Sequence, residues 1–108
     1  MASRVEQFEA LVRQQPANAL FRFSLAQALV AENRAAESVD HFEACLASRA
    51  DWMMPRILLA KTLIELGHRE KAKPLLEEAL QLAVDQHHED PEREVRALLA
   101  AIIVAQAS

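Results

Sequence analysis

Apolar residues recur at helical spacing in six stretches of this chain, separated by polar or helix-stopping residues. In the first stretch Val5, Phe8, Leu11 and Val12 share one face. Ser3 followed by Glu6 makes a capping box, in which each side chain satisfies an orphan amide, so the pattern predicts a helix over 3–14. Pro16 closes it, because a proline disfavours helical geometry in the residue before it. Asn18 is placed to cap a second helix over 19–32, and Asp51 a fourth over 52–66. Between them a third, over 35–48, carries Val39, Phe42, Cys45 and Leu46. The fifth, over 69–86, carries Leu75, Leu76, Ala79 and Leu80. Pro74 falls near its second turn, so that helix either begins later or kinks there. Asp90 as cap and Pro91 in the first helical position open a sixth over 91–105, with Glu92 and Glu94 favoured by the helix dipole.

Three of these stretches use one phrase, Arg-x-x-Leu-Ala-x-x-(Leu/Ile), beginning at Arg22, Arg56 and Arg96. The first two copies stand 34 residues apart and the third follows after 40. A fixed period of this size marks a helical repeat array. The segment from His87 to Glu92 absorbs the six extra residues. Asn33 and Gly67 end equivalent helices 34 residues apart, and these two residue types adopt the left-handed conformation of a helix C-terminus most readily.

Composition narrows the class. The chain has 108 residues, 52% of them apolar, with one glycine and no tyrosine, which fits one small all-α domain. A net charge of −4 argues against a nucleic-acid partner, which would call for a basic face. Cys45 is the single cysteine, so no intrachain disulfide can form, and a reducing compartment is expected. The first residues show no apolar targeting segment, and the longest apolar stretch, 97–105, falls short of the roughly 20 residues a bilayer requires. A cytoplasmic protein that engages no membrane is the expectation.

These residues resemble the tetratricopeptide repeat (TPR), in the manner of a small bacterial-type TPR protein. The family signature, Trp-x-x-Leu-Gly-x-x-Tyr and then Ala-x-x-x-Phe, is matched by Arg22-x-x-Leu25-Ala26-x-x-Leu29 with Ser38-x-x-x-Phe42. It is matched again by Arg56-x-x-Leu59-Ala60-x-x-Leu63 with Ala72-x-x-x-Leu76. Arg replaces the signature Trp, Ala replaces Gly and Leu replaces Tyr, and no closing proline follows either unit. The resemblance implies a right-handed α-α superhelix of about six helices in a single domain over 1–108. It would consist of a half-unit at 3–15, units at 19–52 and 53–86, and a C-terminal capping helix at about 91–105. It also implies a non-enzymatic module without cofactor, an adaptor or scaffold binding a partner peptide or amphipathic helix in a concave groove. The groove face would carry Leu20, Phe23, Gln27 and Val30 from the first unit and Met54, Ile57, Lys61 and Ile64 from the second, followed by Glu94, Ala97, Ala101 and Val104. The same residues could instead be ordinary core. Some members clamp acidic chaperone tails with basic residues at positions held here by Phe23, Gln27, Leu58, Glu94 and Leu98, none of them basic, so that function is not expected. The alternative function is a structural unit that self-assembles or dimerises through the open faces of its half-units.

Three features of the sequence bear on chemistry. His41 and Cys45 lie four apart on one helix and could touch, yet they align with Leu75 and Ala79, which are core-type positions. The run His87-His88-Glu89-Asp90 offers metal-ligand types without the spacing of a closed zinc site. The ladder Arg22, Arg56 and Arg96 is expected to place its alkyl stems on apolar surface, with solvated heads paired to neighbouring glutamates. No catalytic residue and no metal ligand is expected.

Overall fold

The computed structural model describes residues 2–107. They form six α-helices: α1 (Arg4–Gln14), α2 (Ala19–Ala31), α3 (Ala35–Ser48), α4 (Met53–Glu65), α5 (Arg69–Asp85) and α6 (Glu89–Ala107). No strand occurs among the described residues. The fold class is all-α, as the periodicity requires.

Local chemistry sets the helix starts. Ser3 Oγ accepts the Glu6 N–H at 3.1 Å and Asn18 Oδ1 accepts the Phe21 N–H at 3.2 Å, so both expected caps form. Two boundaries differ from expectation. Helix α4 begins at Met53, directly after Trp52, which leaves Asp51 one residue short of the cap position. Helix α6 begins at Glu89, so Asp90 and Pro91 lie inside its first turn, where a missing amide and acidic charges are both tolerated. Pro74 does not delay α5, which starts at Arg69 and carries the proline internally. The carbonyl of Glu70 loses its usual donor there, but both residues are exposed and water can replace it.

The helix ends repeat one device three times. After α2, the N–H of Arg34 donates to Leu29 O at 2.8 Å and that of Asn33 to Val30 O at 3.1 Å. After α4, His68 donates to Leu63 O at 2.8 Å and Gly67 to Ile64 O at 3.0 Å. After α5, His88 donates to Ala83 O at 2.9 Å and His87 to Val84 O at 3.2 Å. The residue at the turn has φ of 62° in Asn33, 86° in Gly67 and 58° in His87. This is the Schellman arrangement, which satisfies carbonyls that a helix end would otherwise leave open. The pair Asn33/Gly67 was legible in the sequence; the third member, His87, was not.

The chain forms two compact units that meet at Pro55 and Arg56. In the first, α2 packs against α1 and α3. Its core joins Val5 to Leu25, Ala28 and Leu29, with Phe8 and Val12 packed against them. On α3 the fully buried Cys45 thiol donates to Ala19 O at 3.5 Å, and Phe42 meets Phe23 edge-on at 6.3 Å. Across the start of α1, the Glu32 carboxylate accepts the Val5 N–H at 3.3 Å. In the second unit α5 packs against α6. Arg56 Nη1 donates to Glu78 Oε2 at 2.6 Å, joining α4 to α5, and Lys61 Nζ to Glu94 Oε2 at 3.3 Å, joining α4 to α6. Ala60, Ala72, Leu76, Ala79, Ala83 and Val95 are fully buried there. No helix among the described residues is long and apolar enough to cross a membrane.

The turns yield a prediction of opposite signs. A Cβ on Gly67 would meet no atom within 4 Å, so Gly67→Ala tests backbone conformation alone and should cost about 1 kcal/mol. His87→Gly relieves a side chain held in the same region and should be neutral or stabilising by a few tenths of a kcal/mol. Urea unfolding of the two variants measures both.

Candidate functional site

The first unit carries one stretch of exposed apolar surface. Along α2, Leu20, Phe23, Gln27 and Val30 follow one another at three- and four-residue intervals and so share a face. Leu20 is 63% exposed, Phe23 and Val30 are half-buried and Gln27 is exposed. Phe23 is held in place by two rings: besides Phe42, the half-buried Trp52 lies 4.9 Å away at 57°. The exposed Arg49 guanidinium stands 5.3 Å over the Trp52 ring. Two residues beyond Trp52, in the first turn of α4, Met54 is 48% exposed. Tilted and edge-on ring contacts of this kind fix aromatic orientation and add to burial. Trp52 and Arg49 were missed from the sequence because they sit outside the repeated phrase. The signal available was a lone tryptophan, of a type enriched at binding surfaces.

The residues expected to extend this face lie in the second unit and differ in character. Ile57 is only 2% exposed and belongs to the core, which corrects its expected place on an open groove face. The helix period turns it onto the same side as the buried Arg56 and Ala60. Lys61 is half-exposed and paired with Glu94, and Ile64 is half-buried. A cleft of about 510 Å³ lies beside Gln27, lined also by Ser3, Arg4, Ala28, Ala31 and Glu32. The Glu32 carboxylate already serves the α1 N-terminus there.

The arginine ladder is not one ladder. Arg96 is exposed and pairs with Glu92 at 3.1 Å, as expected. Arg56 pairs with a glutamate too, but its side chain is buried rather than solvated. Arg22 is half-buried, donates through Nε to Pro16 O at 2.9 Å, and lies with Nη1 3.2 Å from His41 Nδ1.

That last contact decides the reading of His41 and Cys45. A guanidinium can only donate, so His41 Nδ1 accepts and the ring is neutral, with its proton on Nε2. Burial, and then the Arg22 charge, hold the His41 pKa below its ordinary value. Burial pushes the Cys45 thiol up. The thiol faces Ala19 O while the imidazole faces Arg22, and a thiol kept protonated is the reverse of an activated nucleophile. His87 and His88 are exposed, His87 serving the turn after α5. Among the described residues no three His, Cys, Asp or Glu side chains come together in a way that could hold a metal ion.

A family model described as tetratricopeptide repeat matches residues 56–84. No curated protein matches the chain. The structure is similar to the crystal structure of PcrH in complex with the chaperone binding region of PopD, with a TM-score of 0.86 at 17% identity, covering 94% of this chain and 77% of that one. It is also similar to the solution structure of protein BPP2914 from Bordetella parapertussis, with a TM-score of 0.83 at 24% identity, covering 99% of this chain and 93% of that one. The fold expected from the repeated phrase is therefore the fold found.

The lowered His41 pKa predicts the sign of a pH effect. In the unfolded chain His41 takes up a proton near the ordinary histidine pKa of about 6.5, whereas in the folded protein it does so only at lower pH. Its contribution to stability is thus full above that value and is lost as pH falls through it. Denaturant unfolding at pH 7.5 and 5.5 should show a drop in wild type that is smaller in His41→Gln. An equal drop in both proteins would place the effect elsewhere.

Proposed function

Taking residues 56–84 as a tetratricopeptide repeat in a chain that has the fold of that family, we propose that this protein is a non-catalytic protein-interaction module. A partner segment, an amphipathic helix or an extended peptide, docks on the first unit over the α2 face of Leu20, Phe23, Gln27 and Val30, with Met54 near the same aromatic cluster. The observation that carries this reading is the exposure of Leu20 and Met54, two large apolar side chains, in the unit whose Phe23 is held by Trp52 and Phe42. Pre-ordered aromatic rings lose little freedom on binding, and a few such anchors supply most of the affinity at interfaces of this type. Gln27 offers a polar group that sets the register of the docked segment. The partner-bound state of PcrH lends support to a role of this kind, as a likeness of fold. Lys61 and Ile64 belong to the second unit and form no part of this docking surface, and Ile57 is core there. Neither an enzyme activity nor a cofactor is part of the proposal, and a cytoplasmic location fits the single buried thiol.

Affinity capture from host lysate tests the proposal. Leu20 is exposed, so Leu20→Glu should leave circular dichroism and the melting temperature unchanged while weakening capture of a discrete partner tenfold or more, equivalent to about 1.4 kcal/mol. A folded variant that holds the same partner as tightly as wild type would remove α2 from the binding surface.

A further inference from the structure

Helices α2, α4 and α6 carry the same phrase, yet one side of it is covered in the first two and open in the third. Ala26 and Leu29 on α2 are buried, Leu29 being 2% exposed. Ala60 and Leu63 on α4 are buried likewise. At the equivalent positions of α6, Ala100 is exposed and Ile103 is 56% exposed. Helix α6 has its own buried side, Val95 and Ile102, so it is already seated. From 97 to 105 it has no polar side chain, and a helix apolar on all sides normally has neighbours on all sides.

In the first unit α2 is covered by α1, whose Val5 packs with Leu29, and by α3, whose Phe42 and Cys45 meet Phe23 and Ala19. Counting back one 34-residue period from Phe42 and Cys45 gives Phe8 and Leu11 on α1. Helix α1 thus stands in the register of a second helix. Its Val5, Phe8 and Val12 pack in the core with α2, while Gln7 and Gln14 on its other side are exposed and Leu11 is half-buried.

We propose that α6 of one copy packs against α1 of a second copy, so that two half-units complete one helical hairpin head to tail. Two further observations fit α1 to this place. Side-chain size is exchanged across the contact: α6 has Ala97 where α2 has Phe23 and α4 has Ile57, and α1 has Leu11 where α3 has Cys45 and α5 has Ala79. The pair Ala97 and Leu11 keeps the total volume of Ile57 and Ala79 in the second unit, a kind of exchange that packed cores tolerate well. Charge is complementary as well. In an antiparallel hairpin, Arg13 in the last turn of α1 stands beside the acidic first turn of α6, with Glu89, Asp90 and Glu92. Arg4 then stands beside the negative end of the α6 dipole. One period before His41 is Gln7, so Arg96 would meet Gln7 as Arg22 meets His41. Such a contact joins two different surfaces, so each added copy still exposes both, and assembly continues past two copies.

Sedimentation equilibrium over micromolar to millimolar protein provides the test. Wild-type mass should rise with concentration beyond two copies. Ala100→Arg blocks the α6 face, and Gln7→Arg blocks the α1 face by opposing Arg96. Both positions are exposed, and circular dichroism checks that both variants fold; Ala100→Glu replaces the first if it does not. Each variant alone should stay at the mass of one copy. Mixed, they should form a 1:1 pair and go no further, because each retains the surface that the other lacks. A wild-type mass of one copy throughout overturns the proposal, as does a mixture that fails to pair. Dimers formed by the α1 variant alone also overturn it, since they would show α6 meeting α6.

Discussion

The structure depends on close approach between helices at the alanine of the repeated phrase. Ala26 and Ala60 are fully buried, and Cys45, Ala72, Ala79 and Ala83 on the second helices are buried as completely. Small side chains on both sides of a crossing let the backbones come together, leaving the larger Leu25, Leu29, Leu59 and Leu63 to fill the flanks. A repeat that substitutes Ala for the family's Gly keeps this property and gains helix propensity. The departures from the TPR signature are thus absorbed without loss of the fold.

A crossing of this kind needs the chain to reverse within a few residues, and the three left-handed turns supply the reversal. Each ends its helix with the same two hydrogen bonds, at residues as different as Asn33, Gly67 and His87. The backbone geometry is common to all three and the side chains are not. For that reason the first two turns could be read from the sequence and the third could not: histidine gives no local warning that it will adopt positive φ. Helix positions were legible to within about two residues, since the spacing of apolar residues carries them redundantly. Starts that rest on a single residue, Asp51 and Asp90, shifted by one or two.

The candidate surface was less legible than the fold, for a physical reason. Periodicity tells which residues share a face of one helix, but not which faces neighbouring helices cover. Leu20 and Ile57 both fell on the expected groove stripe, and the structure leaves one at the surface and buries the other. Trp52, which contacts Phe23, lies outside the repeated phrase. The arginines show the same limit. One motif position yields a buried arginine paired with the exposed Glu78 at Arg56, an imidazole contact at Arg22 and a surface pair within its own helix at Arg96, because each arginine meets different neighbours.

The three copies of the phrase differ in whether the side bearing Ala26, Ala60 and Ala100 is covered by another helix. Matched substitution of leucine at Ala26, Ala60 and Ala100, one at a time, with urea unfolding as the readout, tests it most directly. Overpacking at the two buried sites should cost about 1–3 kcal/mol each or more. At Ala100, exposed on α6, leucine should stay within about 0.5 kcal/mol of wild type. Equal costs at all three positions, or tolerance at Ala26 and Ala60, would contradict the account.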